Sequence, residues 1–142
     1  MRTLLLILLG LLSVSCAEEY NTQSYNVEDL SYKHRILFID AMDWWNSRHI
    51  FAHFSGNPSG DSIATYGSLP SPIIGRMYTS HKGNRIVFSN DYSWTAEKFC
   101  GISRHELGHS PELYGSSHSL DPTDVMYPSA PNCDLEELPP KI

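Results

Sequence analysis

The spacing of apolar residues changes along the chain from a helical to an extended pattern, and this change limits the folds open to it. Over residues 29–48, apolar side chains recur at intervals of three and four, which lines one face of a helix. Over residues 50–88, short apolar runs separated by Gly, Pro, Ser and Asn predict three or four strands joined by turns. The runs are IFAHF, SIATY, PIIGRMY and RIVF. We therefore expect an α+β domain in which the first helix covers a sheet.

A second helix is predicted after Thr95, whose side chain is a favourable N-cap. It should end near His109 or Ser110, because Pro111 disfavours helical geometry at the residue before it. Beyond this point the chain is rich in Gly, Ser and Pro. Only the short run LEEL at residues 135–138 predicts another helical turn.

The composition is typical of one folded domain. Of the 142 residues, 41% are hydrophobic and 18% charged, which is enough apolar material to close a core. No internal repeat or low-complexity tract marks a second module. A formal net charge of −6 provides no electrostatic reason to bind nucleic acid or anionic lipid, so these two partner classes are excluded. We expect a monomer.

The chain begins with a predicted signal peptide at residues 1–17, followed by a single domain at residues 18–142. The apolar run of the leader is about a dozen residues long, shorter than the roughly 20 that a membrane-spanning helix needs. Cleavage after Cys16 or Ala17 would release a secreted protein, extracellular or periplasmic. Cleavage before Cys16 would leave a thiol for lipidation, since LSVSC resembles a bacterial lipobox, and the protein would then be a membrane-attached lipoprotein.

Export changes how the remaining cysteines are interpreted, because an oxidising compartment allows thiols to pair. With Cys16 set aside, Cys100 and Cys133 can pair in one way only. We predict a disulfide between them. The alternative is two unrelated buried thiols.

The second helix carries a pattern typical of a metal site, because residues 105–109 read HELGH and fit HExxH. At a spacing of four residues, His105 and His109 project from one helical face and can bind one divalent ion. Two ligands are too few for tight binding. His118 is the candidate third ligand, provided that the chain reverses at Gly115, a residue that readily adopts the left-handed conformation.

Three histidine ligands would leave the fourth position of a single catalytic Zn²⁺ to water, whose pKa zinc lowers toward about 7. Glu106 follows the first ligand by one residue and is the candidate general base, accepting the water proton and later passing it to a leaving amine. The other histidines are interpreted as non-ligands. They are His34, His49, His53 and His81.

These residues resemble a metzincin zinc protease of the matrixin type. That family is marked by HExxHxxGxxH, a family-specific small residue after the third His, and a methionine turn beneath the metal. The matching residues are His105, Glu106, His109, Gly115, His118, Ser119, Met126, Tyr127 and Pro128. The resemblance implies a zinc endopeptidase with a twisted, mostly parallel sheet of four or five strands, a backing helix, an active-site helix, and a C-terminal helix that is reduced or absent.

The chain departs from the family pattern between the second histidine and the glycine. The family has two residues there, whereas SPELY places five between His109 and Gly115, which we interpret as a three-residue insertion. If that interpretation is wrong, Glu112 or Asp121 becomes the competing third ligand. Only about 10 residues separate the leader from the first helix, so no propeptide is expected.

The resemblance also implies how a peptide or protein substrate would bind. It would lie extended against an exposed sheet edge, for which residues 75–78 are the candidate, with the wall of a side pocket formed by residues 127–130. Two other functions remain open. One is a zinc-binding interaction protein without proteolytic activity, and the other is a metalloprotease that uses a different third ligand.

Overall fold

The computed structural model describes residues 22–140, which form the α+β fold expected from the sequence. The predicted signal peptide and the lipidation candidate Cys16 lie outside the described residues. Five strands and two α-helices follow one another, with a 3₁₀ turn near the end. In chain order they are β1 (Gln23–Asn26), α1 (Tyr32–Arg48), β2 (Phe54–Gly56), β3 (Ser62–Gly67), β4 (Gly75–Ser80), β5 (Gly83–Ser89), α2 (Ala96–Gly108) and the 3₁₀ turn (Leu135–Glu137).

The five strands form one sheet in the order β2-β1-β3-β5-β4. Every pairing is parallel except that of β4 with β5, which is antiparallel and leaves β4 at the edge. The mostly parallel sheet implied by the family resemblance is therefore confirmed. The crossover from β1 to β2 contains α1, as a parallel connection requires.

Two details of the strand prediction were wrong. The run IFAHF does not form a strand along its length, because Ile50 and Phe51 form a turn and β2 begins only at Phe54. β1 was not predicted, since its sequence QSYN has a single buried side chain, Tyr25, and no apolar alternation. Its place in the sheet comes from main-chain pairing with a strand on each side.

Helix α1 supplies much of the core. It begins at Tyr32, three residues later than the apolar spacing suggested, because Ser31 is the N-cap and its side chain accepts from the His34 N–H. Its buried residues face the sheet and α2. They are Leu37, Phe38, Ala41, Met42 and Trp45. Burial of each large side chain contributes about 1.5 to 3 kcal/mol, so this face anchors the helix.

Helix α2 lies at the centre of the domain. It begins where the sequence predicted, with the Thr95 Oγ1 accepting from the Lys98 N–H at 3.2 Å. Its last helical residue is Gly108, and His109 is the C-cap, in agreement with the expected end. Every residue from Phe99 to Gly108 is buried. The polar side chains of α2 therefore lie in the interior, where leaving them without hydrogen-bond partners is costly.

The predicted disulfide is confirmed. Cys100 of α2 is bonded to Cys133, with 5.8 Å between the Cα atoms, and both residues are buried. The expected turn at LEEL is present as the 3₁₀ turn, which binds α2 through the Arg104 Nη1 donating to the Glu137 Oε2 at 3.0 Å. The disulfide and this hydrogen bond thus both hold the C-terminal segment against α2.

Neither helix in residues 22–140 has the length and hydropathy that a membrane span requires.

Candidate metal centre and cleft

Two imidazoles of α2 face each other one helical turn apart. The Nε2 atoms of His105 and His109 lie 3.1 Å from each other. Two nitrogens that bind the same tetrahedral ion, each at about 2.0 to 2.1 Å, lie about 3.3 Å apart. The observed spacing therefore fits a shared metal.

The Nδ1 atoms of these two rings are held by backbone carbonyl groups. The distance is 2.8 Å from His105 to the Val125 oxygen and 2.6 Å from His109 to the Gly115 oxygen. A carbonyl can only accept, so each Nδ1 carries the proton and each Nε2 offers a lone pair. Burial lowers the pKa of His105 to about 4 and also lowers the pKa of His109, which keeps both rings neutral near pH 7.

The structure brings His118 to the same place. One ligand atom from each of His105, His109 and His118 lies within 4.8 Å of the others, and these three residues are hereafter called the His cluster. The His118 ring is stacked on that of His105, with centroids 5.3 Å apart, and is nearly perpendicular to that of His109. No other group of three potential ligands within residues 22–140 has such geometry.

A compact turn at residues 110–115 carries the chain from α2 back toward His118. The Tyr114 N–H donates to the Gly108 oxygen at 3.0 Å, and the Gly115 N–H donates to the Ser110 oxygen at 3.1 Å. Gly115 has a φ of +55°, in the left-handed region expected for a residue that reverses the chain. The carbonyl that orients His109 belongs to this same glycine.

The turn is tied to the first strand. Glu112 accepts a hydrogen bond from the Gln23 side-chain amide, and the Oε1 of Gln23 accepts from the Ser110 hydroxyl at 3.3 Å. Glu112, one of the two competing ligands, is thus directed at β1. The other, Asp121, accepts from both the N–H and the hydroxyl of Thr123. Neither carboxylate is part of the His cluster.

Met126 packs against the last residue of α2. It is fully buried, and a Cβ placed on Gly108 would come within 2.1 Å of its sulfur. Its carbonyl accepts from the Ser119 N–H at 2.9 Å, while the Tyr127 N–H donates to the Asp124 oxygen at 3.0 Å. These contacts form a tight turn under the His cluster, and the turn also contains the carbonyl that orients His105.

Glu106 lies between the His cluster and the edge strand. A Cβ on Gly75 of β4 would lie 3.1 Å from the Glu106 Oε1 and 2.4 Å from the Ile102 Cγ2, so only a glycine lets the strand pass so closely. Burial raises the pKa of Glu106 to about 7, opposed by a backbone hydrogen bond from Met77 and the charge of Arg76. A carboxyl group in this range can both take and return a proton.

A cleft of about 950 Å³ runs past these groups. One wall is β4, where Gly75, Arg76 and Met77 line the cleft, and the opposite wall is formed by residues 128–130. The sequence expectation for the two walls is thus met in part. Tyr78 and Tyr127, which it included, are not among the lining residues.

Lys98 and Ile102 of α2 also line the cleft, and neither was predicted from the sequence as a site residue. They precede His105 by seven and three positions and therefore share its helical face. This periodicity was the available signal. Of the histidines interpreted as non-ligands, His34 is stacked on Phe99 with ring centroids 3.9 Å apart, away from the cluster.

Part of the chain is similar in sequence to a known protein. No protein-family model matches the chain. Over 101 residues it is 33% identical to Homo sapiens matrilysin, which is a matrixin, in an alignment that covers 66% of this chain and 36% of matrilysin. The domain is matrixin-like. The chain spans about a third of the length of that relative, and the likeness agrees with the metzincin-like α+β fold.

Proposed function

We propose that this matrixin-like domain is a zinc-dependent endopeptidase that hydrolyses peptide bonds outside the cytosol. The observation that carries the proposal is the convergence of the His cluster and Glu106 in one cleft beside an edge strand. The likeness to matrilysin supports the same conclusion.

The proposed metal ligands are the Nε2 atoms of His105 and His109 and one ring nitrogen of His118, which lie within 4.8 Å of one another. Neutral imidazole suits zinc, and three such ligands leave one position open for chemistry. A zinc ion held there would supply Lewis acidity to the scissile carbonyl group and would lower the pKa of bound water. The carbonyl oxygens of Val125 and Gly115 support the proposal, since they fix the orientation of two of the rings.

Glu106 is the proposed general base. Its carboxylate accepts the proton of the attacking water and then donates it to the amine of the departing product. Its burial between Gly75 and the His cluster keeps this proton near the reacting bond and excludes bulk water.

The substrate backbone is proposed to lie along β4. Within residues 22–140 this strand pairs only with β5. Its outward-facing N–H and C=O groups, apart from the Met77 N–H that Glu106 holds, are therefore available to an extended peptide. Residues 128–130 form the facing wall of this cleft, whose volume is about 950 Å³. A peptide held between the two walls passes Glu106 and the His cluster.

The proposed location is outside the cytosol. The buried Cys100–Cys133 disulfide favours an oxidising compartment. Removal of residues 1–17, or a lipid anchor at Cys16, remains part of the proposal.

The decisive experiment is digestion of denatured casein by the exported full chain, with and without a zinc chelator. We expect cleavage that stops with the chelator and returns when zinc is added. His81→Ala is the matched control, because this exposed histidine lies in the turn between β4 and β5 and should keep full activity. One bound zinc ion without cleavage of any denatured protein would instead support a non-proteolytic zinc-binding function.

A further inference from the structure

The cleft contains a cationic group, the Lys98 amine, that has no role in the proposed hydrolysis of the peptide bond. Lys98 lines the cleft from the first turn of α2, on the same helical face as Ile102 and His105. Its Nζ reaches across to the opposite wall and donates to the Ala130 oxygen at 3.1 Å. Lys98 therefore closes one end of the space between α2 and residues 128–130.

Apolar residues line part of the cleft that contains this amine. Ile74, Ile102 and Ala130 line the same cleft, and Ala130 is buried. Lys98 itself is half-buried. The ion pairs formed by residues 22–140 both involve Arg104, so no carboxylate of the described chain neutralises Lys98. An ammonium group has three N–H donors, and the Ala130 carbonyl uses one of them.

The charge of the cleft is opposite to that of the whole protein. The chain has a formal net charge of −6, yet the charged groups that line the cleft, apart from its histidines, are Arg76, Lys98 and the carboxyl group Glu106. The charge of Lys98 acts at His105, where it contributes to the lowered pKa of that ring. A cationic cleft in an acidic protein attracts anionic ligands to this one place.

The position of Lys98 along α2 is compatible with contact to a side chain of the substrate. Lys98 precedes His105 by seven residues, which corresponds to about 10 Å along the helix axis. A residue next to the bond under attack can extend its side chain along α2 toward the amine. The apolar walls match the methylene groups of such a side chain, and the amine at the end matches a carboxylate.

We propose that Lys98 makes this protein selective for peptides with an acidic side chain next to the cleaved bond. The side chain would occupy the pocket between α2 and Ala130 and form a charge-assisted hydrogen bond with the Lys98 Nζ. This inference rests on the proposed endopeptidase function.

Peptides capped at both ends provide the test, so that the side chain is the only carboxylate that varies. They carry Glu, Gln or Leu at one of the two positions that flank the cleaved bond, and the cleavage position is mapped by mass spectrometry. For the full-length zinc-loaded protein we expect kcat/KM to be about tenfold higher or more for Glu than for Gln, the range of a well-placed charged hydrogen bond. Lys98→Met should bring this ratio close to one, and Lys98→Arg should keep it.

Lys33→Met is the matched control, because it removes the same charge from an exposed position on α1 and should keep the ratio of the unaltered protein. A Glu to Gln ratio near one in the unaltered protein would overturn the proposal. So would a ratio that survives in Lys98→Met.

A binding measurement separates failure of this inference from failure of the proposed function. Fluorescence anisotropy of the same peptides on the zinc-loaded Glu106→Gln protein needs no cleavage. If no peptide is cleaved by the unaltered protein, the endopeptidase function fails, but tighter binding of the Glu peptide that weakens with Lys98→Met and with added salt still supports the role of Lys98. Equal affinity for the Glu and Gln peptides would refute it.

Discussion

The Nδ1 of His109 lies 2.6 Å from the carbonyl oxygen of Gly115, the residue at which the chain reverses. The turn at residues 110–115 therefore does two things at once. It orients a ring of the His cluster and brings the chain back so that His118 can join it. Five residues separate His109 from this glycine, and the hydrogen bond between Glu112 and Gln23 holds this turn on β1.

The effect of substituting Gly115 on stability should come from its left-handed backbone conformation and not from the space around it. No atom lies within 4 Å of a Cβ placed there, so a substitution acts through the backbone alone. We expect Gly115→Val to lower the free energy of unfolding of the zinc-loaded protein by about 1 to 2 kcal/mol. Gly115→Asn should cost less, because Asn tolerates this conformation. Urea unfolding measures both, and equal losses for Val and Asn would contradict the account.

The contact between Gly108 and Met126 should behave as a coupled pair. A Cβ on Gly108 would lie 2.1 Å from the Met126 sulfur and 2.9 Å from a ring carbon of Trp45. Gly108→Ala should therefore destabilise the protein by about 1 to 3 kcal/mol through overpacking. Adding Met126→Ala should relieve part of that cost. A double-mutant cycle from thermal or urea unfolding would show strictly additive losses if the two residues did not pack together.

Glu106 should be needed for turnover but not for metal binding. Glu106→Gln keeps the shape of the side chain and all three candidate ligands while removing the base, so we expect turnover to fall by about 10²-fold or more with unchanged zinc content. Peptidase assays and metal analysis on the same preparation measure both quantities. Undiminished turnover in this variant would exclude the proposed role.

The Cys100–Cys133 disulfide closes a loop with a sequence separation of 33 residues. Replacement of both residues by Ser should lower the free energy of unfolding by about 3 to 4 kcal/mol, according to the chain-entropy estimate for a loop of this size. The comparison is made by urea unfolding of the oxidised protein and the double variant. A midpoint that does not change would show that the bond contributes little.

Parts of the fold with strong local signals were predictable from the sequence. Thr95 is a favourable N-cap and α2 begins after it, and the apolar runs SIATY and RIVF lie within β3 and β5. β1 was missed because its place depends on hydrogen bonds to two distant strands and not on its own pattern. The start of β2 was misplaced because the turn before it contains Ile50 and Phe51, apolar residues that are common in strands.

The site shows the same division between local and distant contacts. The spacing of His105 and His109 on one helical face could be predicted because it is a property of the helix. Other contacts of the site join residues that are far apart in sequence. They are the close approach of Gly75 to Glu106 and the hydrogen bond from Gln23 to Glu112. Such tertiary contacts have no sequence signal of their own, which is why the close approach of β4 and the tether of the turn were not anticipated.

Three imidazoles, including that of His118, are proposed to hold one zinc ion. The direct measurement is zinc content and affinity, by metal analysis and chelator competition, for the full chain and for His118→Ala, Glu112→Gln and Asp121→Ala. We predict one zinc ion per chain, and a loss of affinity on removing His118 that exceeds the roughly 10- to 100-fold cost of removing an orienting partner. Both carboxylate variants should bind nearly as the unaltered protein does. Full affinity in His118→Ala, together with its loss in either carboxylate variant, would contradict the account.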